Sequence, residues 1–422
     1  VLYSFEPAEI AGVDTVIVPA LTGTKLDYLL RRPWVLRQIR EQAPDFIHAH
    51  RISSYGLVAS YAARRAGLPF LLSVWGEDIF SFPRKSILHR RLTARVLASA
   101  TQILSTSRIM ARETERYLTP KRPIEVTPFG VDTERFRPRA ATAGRRAAAR
   151  DGGGTPGAAQ AGEGRGGTAG AGEVQAQQAG GAQADQADAE ANAPGGAEAG
   201  FTAGERAEPG PDQTAGERAE PGTDQPAGGA RPWSGRGLTI GTVKKLRSRY
   251  GVDVLIRAFA RARELLSGEP SLALEIVGEG PDRERLAELA SDLGVAAATT
   301  FRGRIPHEEV PAALSGFDIF AALSVTDDES FGVAMLEASA VALPVVATTV
   351  GGIPEVVDHE RTGFLVPPHD AEAAARCFVE LARDEKRRRH MGEAGRRFVE
   401  ERYSWRACAE QMKGIYERMA AS

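Results

Sequence analysis

DESFGVAMLEASAVALPVVATTVGGIPEVV, residues Asp328 to Val357, is the stretch that decides the fold. Phe331 to Val341 reads as a helix and PVVATT as a strand. Gly332 stands where a loop enters the helix. A helix start presents unpaired N–H groups and a positive dipole end, and a glycine there lets a phosphate come close. Glu329 and Glu337 lie eight residues apart, roughly 12 Å or two turns if both are helical. An acidic residue before the helix start can accept hydrogen bonds from sugar hydroxyls, and one two turns on can hold a ribose. The same spacing also fits a solvent-facing helix with two unrelated glutamates.

Outward from this stretch the alternation of strand and helix continues. LTIGTV, LALEIVG, TTFRG, DIFAALS and GFLVP read as strands, with IRAFARARELL and DRERLAELASDLG as helices between them. Before Pro138, TVIVPA, DFIHAH, PFLLSVWG and QILSTS read as buried strands, alternating with YLLRRPWVLRQIREQ and YGLVASYAARRAG. Such alternation implies parallel sheets covered by helices, with ligands beyond the carboxyl ends of the strands. The expected organisation is a first α/β domain over 1–138, a second over 237–400, a returning helix over 401–422, and a cleft between the domains. Residues 139–236 differ: 98 residues rich in Ala, Gly, Glu, Gln and Pro, with the near-repeat TAGERAEPGPDQ and TAGERAEPGTDQ. So little apolar surface cannot offset chain entropy, so a disordered linker is expected there.

Composition narrows the classes. With 53 basic and 55 acidic residues the net charge is −2, which gives no footprint for nucleic acid. Two cysteines, Cys377 and Cys408, make no disulfide framework. No apolar run approaches the roughly 18 residues of a spanning helix, and no signal-peptide pattern is read. A cytoplasmic protein is expected. The first residues, VLYS, read as a strand already under way.

The Glu-x7-Glu pattern, followed by LPVVAT and GGIPE, resembles the retaining glycosyltransferases of family 4, with the GT-B fold of two Rossmann-like domains. DFIHAH, TPFGVDTERFRP, VGEGP, FRGRIPHEEV and the C-terminal YSW are similar to further segments of that family. The resemblance implies that Glu329 contacts the donor sugar, that Phe331, Gly332 and Val333 present N–H groups to the diphosphate, and that Glu337 binds the ribose. It implies that Glu279 and Gly280 line the nucleotide side and that Arg302 lies near the base. Lys245 stands where the family usually has a diphosphate-binding arginine. The family's phosphate-binding lysine falls at Tyr250, so Arg249 or Lys245 is expected to substitute. Trp75 stands where the family often has a histidine. The family's first strand, loop and helix would precede Val1.

His48 and His50, two apart on a strand, share a face. No cysteine or carboxylate sits at ligand spacing, so no metal is expected. His50 is expected at the acceptor cleft, with a packed histidine as the alternative. Basic residues of PRKSILHRRLTAR, and Arg31, Arg32, Arg37 and Arg40, could attract anionic lipid or be solvated helix faces. The function expected is transfer of a hexosyl group from a nucleoside diphosphate sugar to an acceptor glycan or lipid-linked sugar, with Glu329, His50 and Lys245 as catalytic candidates and no cofactor. The rivals are a catalytically impaired nucleotide-sugar-binding protein and a sugar-nucleotide epimerase.

Overall fold

A computed structural model describes residues 1–4, 13–19, 22, 27–138, 237–327 and 329–421. The expected linker at 139–236 lies outside the described residues. The chain divides into two compact units. One contains Val1–Val18, where β1 (Leu2–Ser4) and β2 (Thr15–Ile17) pair in parallel. The strand expected at Thr15 to Ala20 is thus shorter than read, and Ile17 is exposed rather than buried.

The other unit holds two parallel sheets. The first has the order β3 (Ile47–His50), β4 (Phe70–Val74), β5 (Gln102–Ser105), β6 (Glu125–Val126). With it go α1 (Asp27–Leu30), α2 (Arg32–Gln42), α3 (Leu57–Ala66), α4 (Gly76–Phe80), α5 (Ile87–Ser99) and α6 (Arg108–Glu115). Both faces of this sheet are covered, as its continuous apolar strands require. Phe70, Leu72 and Val74 of β4 point into one core with Ala63 of α3 and Leu97 of α5. The intervening Leu71 points the other way and meets Leu104, Ile415 and Met419.

The second sheet has β7 (Leu238–Val243), β8 (Leu272–Val277), β9 (Thr299–Gly303), β10 (Ile319–Ala322), β11 (Val345–Thr348) and β12 (Gly363–Val366), in the order β12-β11-β10-β7-β8-β9. Its helices are α7 (Val252–Leu266), α8 (Arg283–Asp292), α9 (Val310–Leu314), α10 (Val333–Ala340), α11 (Ile353–Val356), α12 (Ala371–Arg383) and α13 (Glu385–Arg402). In α7, Leu255, Phe259, Ala262 and Leu266 recur at helical spacing and are all buried. The chain leaves β7 in one direction through β8 and β9, then returns to β7's other side through β10. The strand order therefore reverses between β7 and β10, and the crevice beyond their carboxyl ends is where such sheets bind ligands.

The last helix, α14 (Trp405–Ala420), supplies the Ile415 and Met419 that cover β4 and β5. Its entry is fixed by two main-chain bonds, Val131 N–H to Tyr403 O at 2.7 Å and Trp405 N–H to Val131 O at 3.0 Å. The indole N–H of Trp405 adds a third, to Gly130 O at 3.0 Å. The FGVD and YSW segments, far apart in sequence, are thus one piece of structure.

Candidate donor site at the strand-order reversal

Residues just past β7 and β10 converge at the reversal. The Lys244 ammonium donates to Glu329 Oε2 at 2.5 Å, and Ser324 Oγ donates to the same oxygen at 3.2 Å. Ser324 is held in turn by Thr348 Oγ1, which donates to its carbonyl at 2.6 Å. The Glu329 main chain is fixed as well, its carbonyl accepting Gly352 N–H at 2.9 Å. Gly351 is what allows this approach. It has φ of 53°, and a Cβ there would lie 2.0 Å from Glu329 O. The GGIPE turn therefore positions the first glutamate.

Gly332 occupies the left-handed region, with φ 95° and ψ 48°, immediately before α10. This conformation suits glycine and turns the chain into the helix. Among the described residues, no group accepts a hydrogen bond from the N–H groups of Phe331, Gly332 or Val333. They form a helix start with its donors open. The helix begins at Val333, two residues later than read from sequence, so Glu329 lies in the preceding loop. The two-turn spacing between the glutamates does not apply, because only Glu337 is on α10.

Glu337 is buried and accepts a hydrogen bond from His307 Nε2 at 2.9 Å. That bond raises the His307 pKa above its ordinary value, against the opposing effect of desolvation. One carboxylate oxygen, Oε1, is committed to His307. Tyr250, in the family's lysine position, gathers cations by its ring. Lys244 Nζ lies 4.8 Å and Arg249 Cζ 5.0 Å from its centroid, and Arg249 Nη2 donates to its hydroxyl at 3.2 Å. Lys245 is half-buried beside Lys244.

The other nucleotide-side candidates are more open. Glu279, exposed after β8, comes within 4.0 Å of Arg283. Gly280 passes under Leu246, whose carbonyl would be 2.3 Å from an added Cβ. Arg302 pairs with Glu275 across β9 and β8 at 3.4 Å, a contact that does not involve α10.

On the first sheet, His48 and His50 do share a face, their rings 4.2 Å apart. His48 Nε2 bonds Ser73 Oγ, and Nδ1 bonds Tyr416 Oη of α14, each at 2.8 Å. Burial, with His50 nearby, lowers the His48 pKa to about 2. His50 keeps an open face at the strand end, but the surrounding protein lowers its pKa to about 4. Both rings are neutral at pH 7. The chain leaving His50 is fixed by buried Asp78, which accepts from Ile52 N–H at 2.8 Å and Ser53 Oγ at 2.9 Å. A row of edge-on rings runs from His50 to Trp75 (6.0 Å), Phe129 (6.0 Å) and Phe331 (5.9 Å), next to Gly332. Trp75 is half-buried within this row.

The two sheets also meet through Glu355 of GGIPE. Its carboxylate accepts the first N–H groups of α6, Arg108 at 2.9 Å and Ile109 at 3.0 Å. Ser107 Oγ takes the next, from Met110. Lys244, Ser324, His307 and Glu355 were not assigned roles from the sequence. The sequence reading placed the cation at Lys245, the neighbour of Lys244, and the partners of the others lie far away in the chain.

Residues 231–398 match the family model of glycosyl transferases group 1, and residues 12–107 match that of glycosyl transferase 4-like proteins. Both stretches are thus similar to glycosyl transferases. Over 188 residues (42% of this chain and 48% of the relative) the chain is 39% identical to a GDP-mannose-dependent alpha-(1-6)-phosphatidylinositol monomannoside mannosyltransferase of Mycolicibacterium smegmatis. Over 187 residues (43% of each) it is 37% identical to a D-inositol 3-phosphate glycosyltransferase of Corynebacterium jeikeium. The match thus spans about half the length of these curated relatives. In fold, this chain is similar to Anabaena Alr3699/HepE in complex with UDP and glucose, at 15% identity, TM-score 0.62, and 96% and 85% coverage of the two chains. It is also similar to a sucrose-phosphate synthase of Thermosynechococcus elongatus, at 19% identity, TM-score 0.63, and 97% and 84% coverage. The architecture is GT-B.

Proposed function

We propose that the protein transfers a hexosyl group from a nucleoside diphosphate sugar to an acceptor hydroxyl with retention of configuration, in glycolipid or cell-surface polysaccharide synthesis. The observation that carries this reading is the open helix start at Gly332, flanked by Glu329 and by buried Glu337. In this reading the diphosphate takes the N–H groups of Phe331, Gly332 and Val333. Lys244, Lys245 and Arg249 balance its charge as the glycosidic bond breaks, and no metal is required. The ribose hydroxyls donate to Glu337 Oε2, since Oε1 is held by His307. Glu329 accepts hydroxyls of the donor sugar. His50, Trp75 and Phe129 face the acceptor, with His50 serving as a neutral hydrogen-bonding group rather than a cation.

The GDP-mannose dependence of the mycobacterial relatives makes GDP-mannose the first donor to test. The experiment is nucleotide release from a panel of radiolabelled GDP- and UDP-sugars, with and without acceptor. Release that depends on acceptor supports the transferase. An altered sugar without acceptor would mean epimerisation, and donor binding with no turnover would mean a binding protein. Loss of a hydrogen bond to a charged group typically costs about 1.5–3 kcal/mol. Glu337→Ala is therefore expected to weaken nucleoside diphosphate binding by roughly 10- to 100-fold in calorimetry. Unchanged affinity would remove the ribose assignment.

A further inference from the structure

The sequence carries two basic stretches on the first sheet's helices, and the structure separates them. The arginines of α2 are engaged nearby. Arg32 stacks over Tyr61 with its guanidinium 5.7 Å from the ring centroid, Arg37 lies 3.8 Å from Glu41, and Arg40 donates to Arg65 O at 3.5 Å. The stretch around α5 is different. Between Asp78 and Glu113 there is no acidic residue, while Arg84, Lys85, Arg90, Arg91, Arg95, Arg108 and Arg112 are all basic. Arg84 pairs with Glu113, and Arg90 stacks on Tyr117. Among the described residues, Lys85, Arg91 and Arg95 are exposed and meet no carboxylate.

Two aliphatic side chains share this surface. Ile87 and Leu88 are each 69% exposed, the most exposed large apolar residues among those described. On a helix, Ile87, Leu88, Arg91 and Arg95 fall at i, i+3 and i+4 spacings and so form one stripe. The opposite face of α5, with Thr93, Val96 and Leu97, is in the core. Two aliphatics at the tip and unpaired cations behind them match the layered chemistry of a membrane surface. Apolar groups enter the acyl boundary while cations stay at the anionic headgroups.

The topology aims this stripe. α5 has 13 residues, roughly 20 Å, and runs back from the carboxyl end of β4 to the start of β5. Its first turn therefore lies at the sheet edge that carries His50 and Trp75. Among the described residues no helix is long and apolar enough to cross a membrane, so contact through α5 would be peripheral.

We infer that the tip of α5, with Ile87, Leu88, Lys85, Arg91 and Arg95, docks the protein on an anionic lipid surface, with the acceptor edge of the first sheet turned toward it. This inference does not depend on the donor-site reading. The test is co-sedimentation of the full chain with phosphatidylcholine vesicles, with and without phosphatidylglycerol. Binding is expected only to the phosphatidylglycerol vesicles, and it should weaken steeply with added salt as the charges are screened. Ile87→Ser/Leu88→Ser and Arg91→Glu/Arg95→Glu should each weaken it about tenfold or more. Arg37→Glu/Arg40→Glu on α2 should leave it within about twofold, because those charges are already balanced or engaged locally. All these positions are on exposed helix faces, and an unchanged melting temperature verifies folding. Absence of vesicle binding, or equal loss from the α2 variant, would overturn the inference. So would self-association abolished by Ile87→Ser/Leu88→Ser without any lipid dependence, which would make the tip a contact between copies of the chain.

Discussion

Lys244 Nζ and Glu329 Oε2 lie 2.5 Å apart, with both side chains largely buried at 11% and 14% exposure. The pair joins the end of β7 to the loop before α10, two places adjacent only because β10 returns beside β7. Breaking such a pair leaves a buried charge without its partner, which typically costs about 3 kcal/mol or more. Lys244→Ala should lower stability by about that amount in urea melts. Adding Glu329→Gln should recover most of the stability, because the orphaned charge is gone, while transfer stays low. If the double variant is no more stable than the single one, the pair is not what holds this loop.

His307 and Glu337 set a pH dependence. The folded pKa of His307 is raised, so its contribution to stability is fully present below the ordinary histidine value, about 6.5. That contribution is lost as pH rises through the higher folded value. An NMR titration should show the His307 imidazole protonating above the ordinary range. Glu337→Gln should bring it back toward that range, since the Glu337 hydrogen bond is the largest cause. A titration unaffected by Glu337→Gln would remove the coupling.

Glu355 acts as an external cap for α6, accepting from Arg108 and Ile109. Replacing a capping group by alanine typically costs about 1 kcal/mol. Glu355→Ala should show that loss in melts. Its larger effect should be on transfer rate rather than on nucleotide affinity, because the contact links the two sheets rather than touching the Gly332 donor site. Equal losses in both would place Glu355 in donor binding instead.

Gly332→Ala tests the helix start. At φ 95° a side chain is strained by about 1–3 kcal/mol, and the added Cβ would come 2.5 Å from Met335 Cε. Methionine is flexible, so the backbone strain dominates. The variant should be less stable by about 1–3 kcal/mol and should bind nucleoside diphosphate more weakly than wild type. Unchanged affinity would mean that the open N–H groups here do not face phosphate.

The sequence by itself determined what depends on near neighbours. Strand and helix alternation around Leu238–Val243 and Val252–Leu266 was legible because periodicity is a local property, and so was the helix following Gly332. The helix boundary at Val333 was missed by two residues, because Phe331 belongs to the apolar pattern but packs from the loop against Phe129 and Tyr403. Only the tertiary structure decided the partners. The sequence pointed to Lys245, but the close contact with Glu329 fell to its neighbour Lys244 at the carboxyl end of β7. His307 is 30 residues from Glu337, and Glu355 is 247 from Arg108. Likewise, the charges of α2 and α5 look alike in sequence, yet α2 is surrounded by Glu41, Tyr61 and the Arg65 carbonyl, while among the described residues the outer stripe of α5 meets no acid. A side chain's chemistry is written at its own position, but its partner depends on which strands lie side by side, and that order comes from packing the whole sheet.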